Sequence, residues 1–340
     1  MLGIRDLILA ITALALGVGA AHATTHDFYK RKVIRIVVGF AAGGGFDTYA
    51  RTIGRYMGRH IPGNPTIIIE NMPGAGSLIA ANHVYKVAKP DGLTMAHFIG
   101  GLFMLQVLGK PGVEFDARKF EYVGAPVKDN TACAFTKKSG ITSMDKWFAA
   151  RPPVKLGAVA PGSTTDDVPK VLAAAIGVPL QVVTGYKGTA EIRLAAESGE
   201  VAGGCWGWES IRATWRKGIE SDEVAVVLQT ATRPASDLPG VPLAMSFAKT
   251  EEARRLIKVG IQDAGAIVRP FAVTRGTPRD RVELLRKAFL ETLRDPDFLA
   301  EARKINLDID PMSGEELERT VHGLFTLDPA FLARLKEILK

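Results

Sequence analysis

Three short stretches of this chain place glycines and small polar residues between an apolar run and a helical pattern. The first is VIRIVVGFAAGGGFDTYA at 33–50, where a β-branched run breaks into three consecutive glycines. APGSTTDD at 160–167 and NMPGAGS at 71–77 are the others. Glycines bare the backbone N–H groups, since no Cβ blocks close approach. A helix N-terminus adds partial positive charge. The chemistry on offer is therefore the holding of an anion. A tight turn with no ligand is the plainer reading of any one stretch, but three such loops on two groups of elements favour a binding cleft.

Nucleotide-phosphate templates fail on the residues. A Walker A loop needs Lys and Ser/Thr after its last glycine, and Gly45 and Phe46 stand after Gly44. A dinucleotide turn needs a third glycine at position 48, which is Thr48. Nor do the residues assemble a catalytic set. The histidines at 22, 26, 60, 83, 97 and 322 form no H-x-x-x-H or H-E-x-x-H pair, and no G-x-S-x-G elbow is present. The two cysteines form no C-x-x-C. No cofactor and no metal is expected.

Single residues carry two readings each. Asp47, in a first helical turn, is expected to brace the loop amides more than to contact an anion, and becomes a good partner for a ligand that carries an amino group. Ser163, Thr164 and Thr165 are natural caps and also donors at a helix start. Tyr186, between Gly185 and Gly188, is expected to line the pocket, with core packing as the alternative. Lys187 reads as a solvated charge. Trp206 and Trp208 read as lobe packing rather than ligand stacking. Cys133 lies on a strand entering the second group and Cys205 on one near its end. In an oxidising compartment a close pair would bridge; two separate buried thiols is the alternative.

The elements that must position these residues alternate. Strands are expected at Val33–Gly39, 66–70, 93–98, 119–127, 131–136, 154–160, 180–186, 224–230 and 269–273. Helices are expected over 46–59, 78–88 and 168–176, then one ending at Gly199, one capped by Thr277, and two more at about 313–323 and 328–339. Apolar stripes at Phe46, Ala50, Ile53 and Met57, and at Val282, Leu285, Phe289 and Leu293, support two of them. The fold class is α/β: two lobes, each a mostly parallel sheet flanked by helices, with a ligand cleft between them. The first lobe is expected over 24–126 and the second over 127–228. Residues 229–340 return to the first lobe and supply the C-terminal helices. Crossings are expected near 120–130 and 226–235.

Bulk properties narrow the compartment. The net charge of +7 is scattered, with KRK at 30–32 the one run of three, so nucleic acid is not an expected partner. The N-terminal residues MLGIRDLILAITALALGVGAAHA join an early Arg5, an apolar run of about 14 residues and an A-x-A pattern. That is a secretory leader expected to be cleaved after Ala23, since roughly 20 apolar residues are needed to span a bilayer. A periplasmic protein, expected to be a monomer, follows. Cytoplasmic nucleotide cofactors do not suit that compartment.

Several blocks, in order from about residue 28 to beyond 290, resemble the extracytoplasmic solute receptors of tripartite tricarboxylate transporters, the Bug receptors. They are IRIVVGFAAGGGFDTYAR, IIIENMPGAGSLIAANHVYKVAKPDGLTM, GSTTDD, GYKGTAEIRLAAESGEV and VRPFAVTRGTPRDRVELL. The resemblance implies a two-lobed type II periplasmic binding protein and no enzyme. It implies a small organic anion as ligand, usually a carboxylate, and membrane permease subunits as partners. Carried over by position, it implies ligand-binding roles for Ala42, Gly43, Gly44 and Asp47, with Ser77 closing the 71–77 loop. In the second lobe it implies Gly162, Ser163, Thr164, Thr165 and Tyr186. The chain departs from the family pattern at Gly39, Ser77, Asp166 and Ala202, and the stretch GGCWGWES is its own. A sensor receptor, and an exported enzyme on the same scaffold, are the other functions that the sequence leaves open.

Overall fold

A computed structural model describes residues 27–128 and 130–340. The leader and its cleavage point lie outside the described residues.

The first part of the chain runs β1 (Val33–Val38), α1 (Gly45–Met57), β2 (Thr66–Asn71), α2 (Leu78–Lys86), β3 (Thr94–His97), α3 (Gly101–Val107) and β4 (Glu121–Ala125). The chain then crosses to β5 (Thr131–Thr136), α4 (Met144–Ala149), β6 (Val154–Gly157), α5 (Thr164–Ile176) and β7 (Leu180–Val183). It continues through α6 (Thr189–Ser198), β8 (Gly203–Gly207), α7 (Trp208–Thr214), α8 (Arg216–Glu220) and β9 (Val224–Gln229). After α9 (Glu251–Ile257) come β10 (Phe271–Val273), α10 (Arg279–Thr292) and α11 (Pro296–Lys304). Then β11 (Met312–Ser313), α12 (Gly314–Leu324) and α13 (Pro329–Ile338) end the chain.

The strands form two sheets, in the orders β11-β4-β10-β3-β1-β2 and β7-β6-β8-β5-β9. Each is the sheet of one lobe. The strands built by strand–helix–strand repeats are parallel: β1 pairs in parallel with β2 and with β3, and β6 with β7 and β8. Strands entered from the other lobe are antiparallel to their neighbours, namely β10 against β3 and β4, and β5 against β8 and β9. The sheets are thus mixed rather than mostly parallel. A strand that arrives by a crossing is fed from the cleft side of the sheet, so it runs against those that leave toward the cleft.

The inner strands of each sheet are largely buried on both faces, as expected of strands flanked by helices, while the edge strands β2 and β7 are partly exposed. Ile34, Ile36 and Val38 pack on the α1 side with Ala50, Ile53 and Met57, all fully buried, while Phe46 is only partly buried. Fully burying such side chains contributes roughly 1.5–3 kcal/mol each. Val282, Leu285, Phe289 and Leu293 bury the predicted face of α10. Its start differs from the expectation: the Thr277 hydroxyl donates to the Thr274 carbonyl, and the carbonyl of Pro278 takes the first helical bonds. Cys133 lies opposite Cys205 across the antiparallel β5–β8 pair, and the two are bridged.

The return to the first sheet is entered later than 226–235. Residues 244–263 pack against α5 of the second lobe, and the chain regains the first sheet only at β10. There β10 lies inside the sheet, between β3 and β4, and does not merely cover it. The last helix, α13, crosses again to α5.

Candidate functional site: the cleft between the lobes

The carboxyl ends of β1 and β6 face each other, and the loops that follow them enclose a cavity of about 30 Å³. Phe40, Gly44, Gly45, Phe46 and Ile99 line it from the first lobe. Val159, Ser163, Thr164, Thr165 and Thr189 line it from the second. Trp206, Gly207 and Ser210, at the β8–α7 junction, and Arg269, just before β10, complete the wall.

The loop after β1 turns at Gly43, whose φ is +85°. Its N–H donates to Asp47 Oδ2 at 2.9 Å, so this amide is spent inside the loop. Asp47 also accepts from Arg51 Nε and from Asn71 Nδ2, each at 2.9 Å, and Asn71 ties the loop to β2 by donating to the Phe40 carbonyl. Burial alone would raise the Asp47 carboxyl, but the bonds from Arg51, the Gly43 amide and Asn71 hold it below its ordinary value. Asp47 is therefore the brace of the loop. No side chain caps α1, so its first amides, at Gly45 and Phe46, are left without a side-chain acceptor, and both residues line the cavity.

The second lobe repeats the device. Gly162, at φ +82°, donates its N–H to Asp167 Oδ1 at 3.0 Å. The Ser163 hydroxyl donates to the Ala160 carbonyl at 2.6 Å and lies 2.9 Å from Thr165 Oγ1, which accepts from the Val159 amide at 3.0 Å. Both hydroxyls thus staple their own loop. α5, too, has no side-chain cap, and Thr164 stands at its first turn on the cavity wall.

Four of the ten residues expected to bind ligand line the cavity: Gly44, Ser163, Thr164 and Thr165. Ala42 and Gly43 are exposed at the outer bend of the first loop. Asp47 and Gly162 lie one shell back as described. Ser77, in the left-handed region with φ 71°, is buried behind the wall, where its Oγ accepts from the Ile99 amide at 3.0 Å. The Tyr186 hydroxyl donates to Glu200 Oε1 at 2.6 Å, away from the cavity; burial and the Glu200 carboxylate push it up to about 12.

The glycines also let the lobes meet. A Cβ on Gly44, whose φ is −91°, would sit 3.0 Å from Thr189 Oγ1, and one on Gly45 would fall 2.3 Å from Ser210 Oγ. A Cβ on Gly101 would fall 2.0 Å from the Gly162 carbonyl oxygen. The Ala41 N–H donates to the Lys187 carbonyl across the cleft at 3.1 Å.

Sequence reasoning missed the Arg269–Glu209 pair. Arg269 Nη2 lies 2.5 Å from Glu209 Oε1 with both side chains 3% exposed, and the guanidinium sits 4.6 Å from the Phe46 ring centre. Their separation of 60 residues carries no local signal. Trp206 stacks on Trp215 with centroids 5.7 Å apart, as packing predicts, yet it also faces the cavity. Among the described residues no cluster of His, Cys, Asp or Glu could hold a metal ion, and no helix is long and apolar enough to cross a membrane.

The family profile described as "Tripartite tricarboxylate transporter family receptor" matches residues 50–324. The chain is 25% identical to a Cupriavidus necator protein described as "UPF0065 protein in gbd 5'region", over 97% of this chain and 96% of that one. Its fold is similar to that of the periplasmic binding protein BugD, with TM-score 0.75, 21% identity, and 91% and 98% of the two chains covered. It is similar as well to MatC of Rhodopseudomonas palustris with bound malate, with TM-score 0.71, 20% identity, and 91% and 99% covered. A third similar structure is R. palustris Rpa4515 with adipate, with TM-score 0.72, 21% identity, and 91% and 97% covered.

Proposed function

Because the chain belongs to the tripartite tricarboxylate transporter family of receptors, we propose that it is a periplasmic binding protein that closes on a small carboxylate and delivers it to membrane permease subunits. One observation carries the ligand chemistry: the uncapped N-terminus of α1 opens directly into the cavity between the lobes. Unpaired amides and the helix dipole favour an anion there without a fixed cation. The bound malate and adipate of the two R. palustris proteins support the same class. In this reading Gly44 gives the ligand access to the α1 amides, while Thr164 and the start of α5 face it from the second lobe. Asp47 and Asp167 keep the two loops in shape. The leader reading supports export, with cleavage after Ala23. The protein transfers its ligand unchanged.

A thermal-shift screen over mono-, di- and tricarboxylates, aromatic acids, amino acids and neutral sugars tests this reading. Ligand at 100 times its Kd stabilises the folded state by about 2.7 kcal/mol. At least one carboxylate is expected to raise Tm, and the sugars are not. A screen in which no carboxylate shifts Tm would overturn the reading.

A further inference from the structure

Two polar atoms on the cavity wall have no hydrogen-bond partner among the described residues: Trp206 Nε1 and Ser210 Oγ. Both residues line the cavity, and they are only 2% and 1% exposed. An indole N–H can only donate. Its direction follows from the ring's contacts. A Cβ on Gly204 would meet Trp206 Cζ3 at 3.0 Å and Cε3 at 3.4 Å, so that edge leans back along β8. The opposite edge, which carries Nε1, faces the carboxyl end of the strand, where the cavity lies. Ser210 Oγ lies against Gly45, at the first turn of α1, beside the uncapped amides. Buried donors are almost always matched, so two unmatched ones on one cavity wall point to an acceptor group supplied by a ligand.

The rest of the wall limits what else that ligand can carry. Arg269 is the one charged side chain lining the cavity among the described residues, and Glu209 already neutralises it. Phe40, Phe46, Ile99 and Val159 make the remainder largely apolar. The start of α5 and Thr164 share this small cavity with the α1 amides and so serve the same carboxylate, and a second ionised group would meet these apolar side chains without a counter-charge.

We propose that the ligand is a monocarboxylate with a compact apolar body. Its carboxylate is held by the α1 amides, Ser210 Oγ and Trp206 Nε1, and its body packs on Phe40, Phe46, Ile99 and Val159. This rests on the carboxylate-receptor reading and narrows it.

Calorimetric titration of the mature protein with benzoate, isobutyrate, succinate and citrate tests it, alongside Trp206→Phe and Ser210→Ala. The phenylalanine retains an aromatic ring against Trp215 and deletes the donor together with part of the ring's bulk. Benzoate or isobutyrate is expected to bind at least tenfold more tightly than succinate and citrate. Each variant is expected to weaken that binding about fivefold or more while remaining folded without ligand. If succinate or citrate binds more tightly than both monocarboxylates, the proposed class is wrong while the carboxylate receptor stands. If none of the four binds and the wider screen is also silent, the receptor reading itself fails. Unchanged affinity in a folded variant removes that residue as an anchor, and Ser210→Ala decides alone if Trp206→Phe does not fold.

Discussion

At the scale of single residues, the first glycine loop divides its labour. Gly43 makes the turn and gives its amide to Asp47, while Gly44 and Gly45 let the second lobe approach. Gly44→Val is expected to leave the fold intact, because φ there is −91° and suits any residue. Its side chain would instead press on Thr189 and stand between the α1 amides and the ligand. Losing two charge-assisted bonds at about 1.5–3 kcal/mol each weakens binding by a factor on the order of 10² to 10⁴. Titration of a variant shown folded by circular dichroism checks this, and wild-type affinity would contradict it. A second residue-scale prediction concerns His97. It is fully buried, stacked 4.0 Å from Phe271, with Nδ1 3.1 Å from the Pro270 carbonyl. A carbonyl only accepts, so Nδ1 carries a proton, and full burial keeps the ring neutral. Burial lowers its pKa to about 3, from an ordinary value near 6.5. A depressed value means that the unfolded chain takes up the proton first. The stability is present above about pH 6.5 and is lost as pH falls toward 3, on the order of 5 kcal/mol at most. The buried Asp167 carboxyl, raised by burial and by Asp166, runs the other way and loses stability as pH rises above the ordinary carboxylate range. Comparing wild type with His97→Phe cancels that contribution. Denaturant unfolding at pH 7 and pH 4.5 is expected to show a smaller acid loss in the variant, and equal losses would remove His97 from the account.

At the scale of elements, the approach of α3 to the loop before α5 is backbone on backbone. Gly101→Ala would place a Cβ 2.0 Å from the Gly162 carbonyl oxygen, a contact that no rotamer change relieves. The start of α3 and the loop before α5 must then part. The expected outcome is weaker ligand binding, about tenfold or more, with little loss of ligand-free stability, read by titration and thermal melting; unchanged affinity would mean that these elements do not meet in the bound state. This contact also shows what a sequence can and cannot disclose. The strand–glycine–helix order was legible at α1 and α5, because β-branched runs, glycine breaks and the α1 stripe are local signals. The bracing role of Asp47 was legible too, being four residues from Gly43. Hydroxyl-rich GSTTDD read equally well as ligand donors or as caps, and the structure turns Ser163 and Thr165 back onto their own loop. Nothing local could place Arg269 and Ser210 beside Gly45, since the cavity exists only where two lobes close. Nor could it show that 244–263 stays with α5, because that segment's partners lie about 80 residues earlier.

At the scale of the whole molecule, the two lobes are nearly shut on each other. A cavity of about 30 Å³ admits little more than a water or two. Any carboxylate with a carbon body therefore needs the lobes to part before it enters. The connections before β5, at 126–128, and before β10, at 264–270, with α13 reaching back to α5, are where such a motion must be absorbed. Small-angle scattering is expected to give a larger radius of gyration for the ligand-free protein than for the saturated one. An unchanged radius would count against closure. The central claim, however, is about place and chemistry: a carboxylate sits between the lobes at the start of α1. The most direct measurement is a crystal structure of the mature protein with the carboxylate that gives the largest thermal shift. The account predicts carboxylate oxygens within hydrogen-bond distance of the Gly45 and Phe46 amides, with Thr164 or Ser210 reaching them from the second lobe. A ligand bound elsewhere on the surface, or in the cleft with its carboxylate turned away from α1, would contradict it.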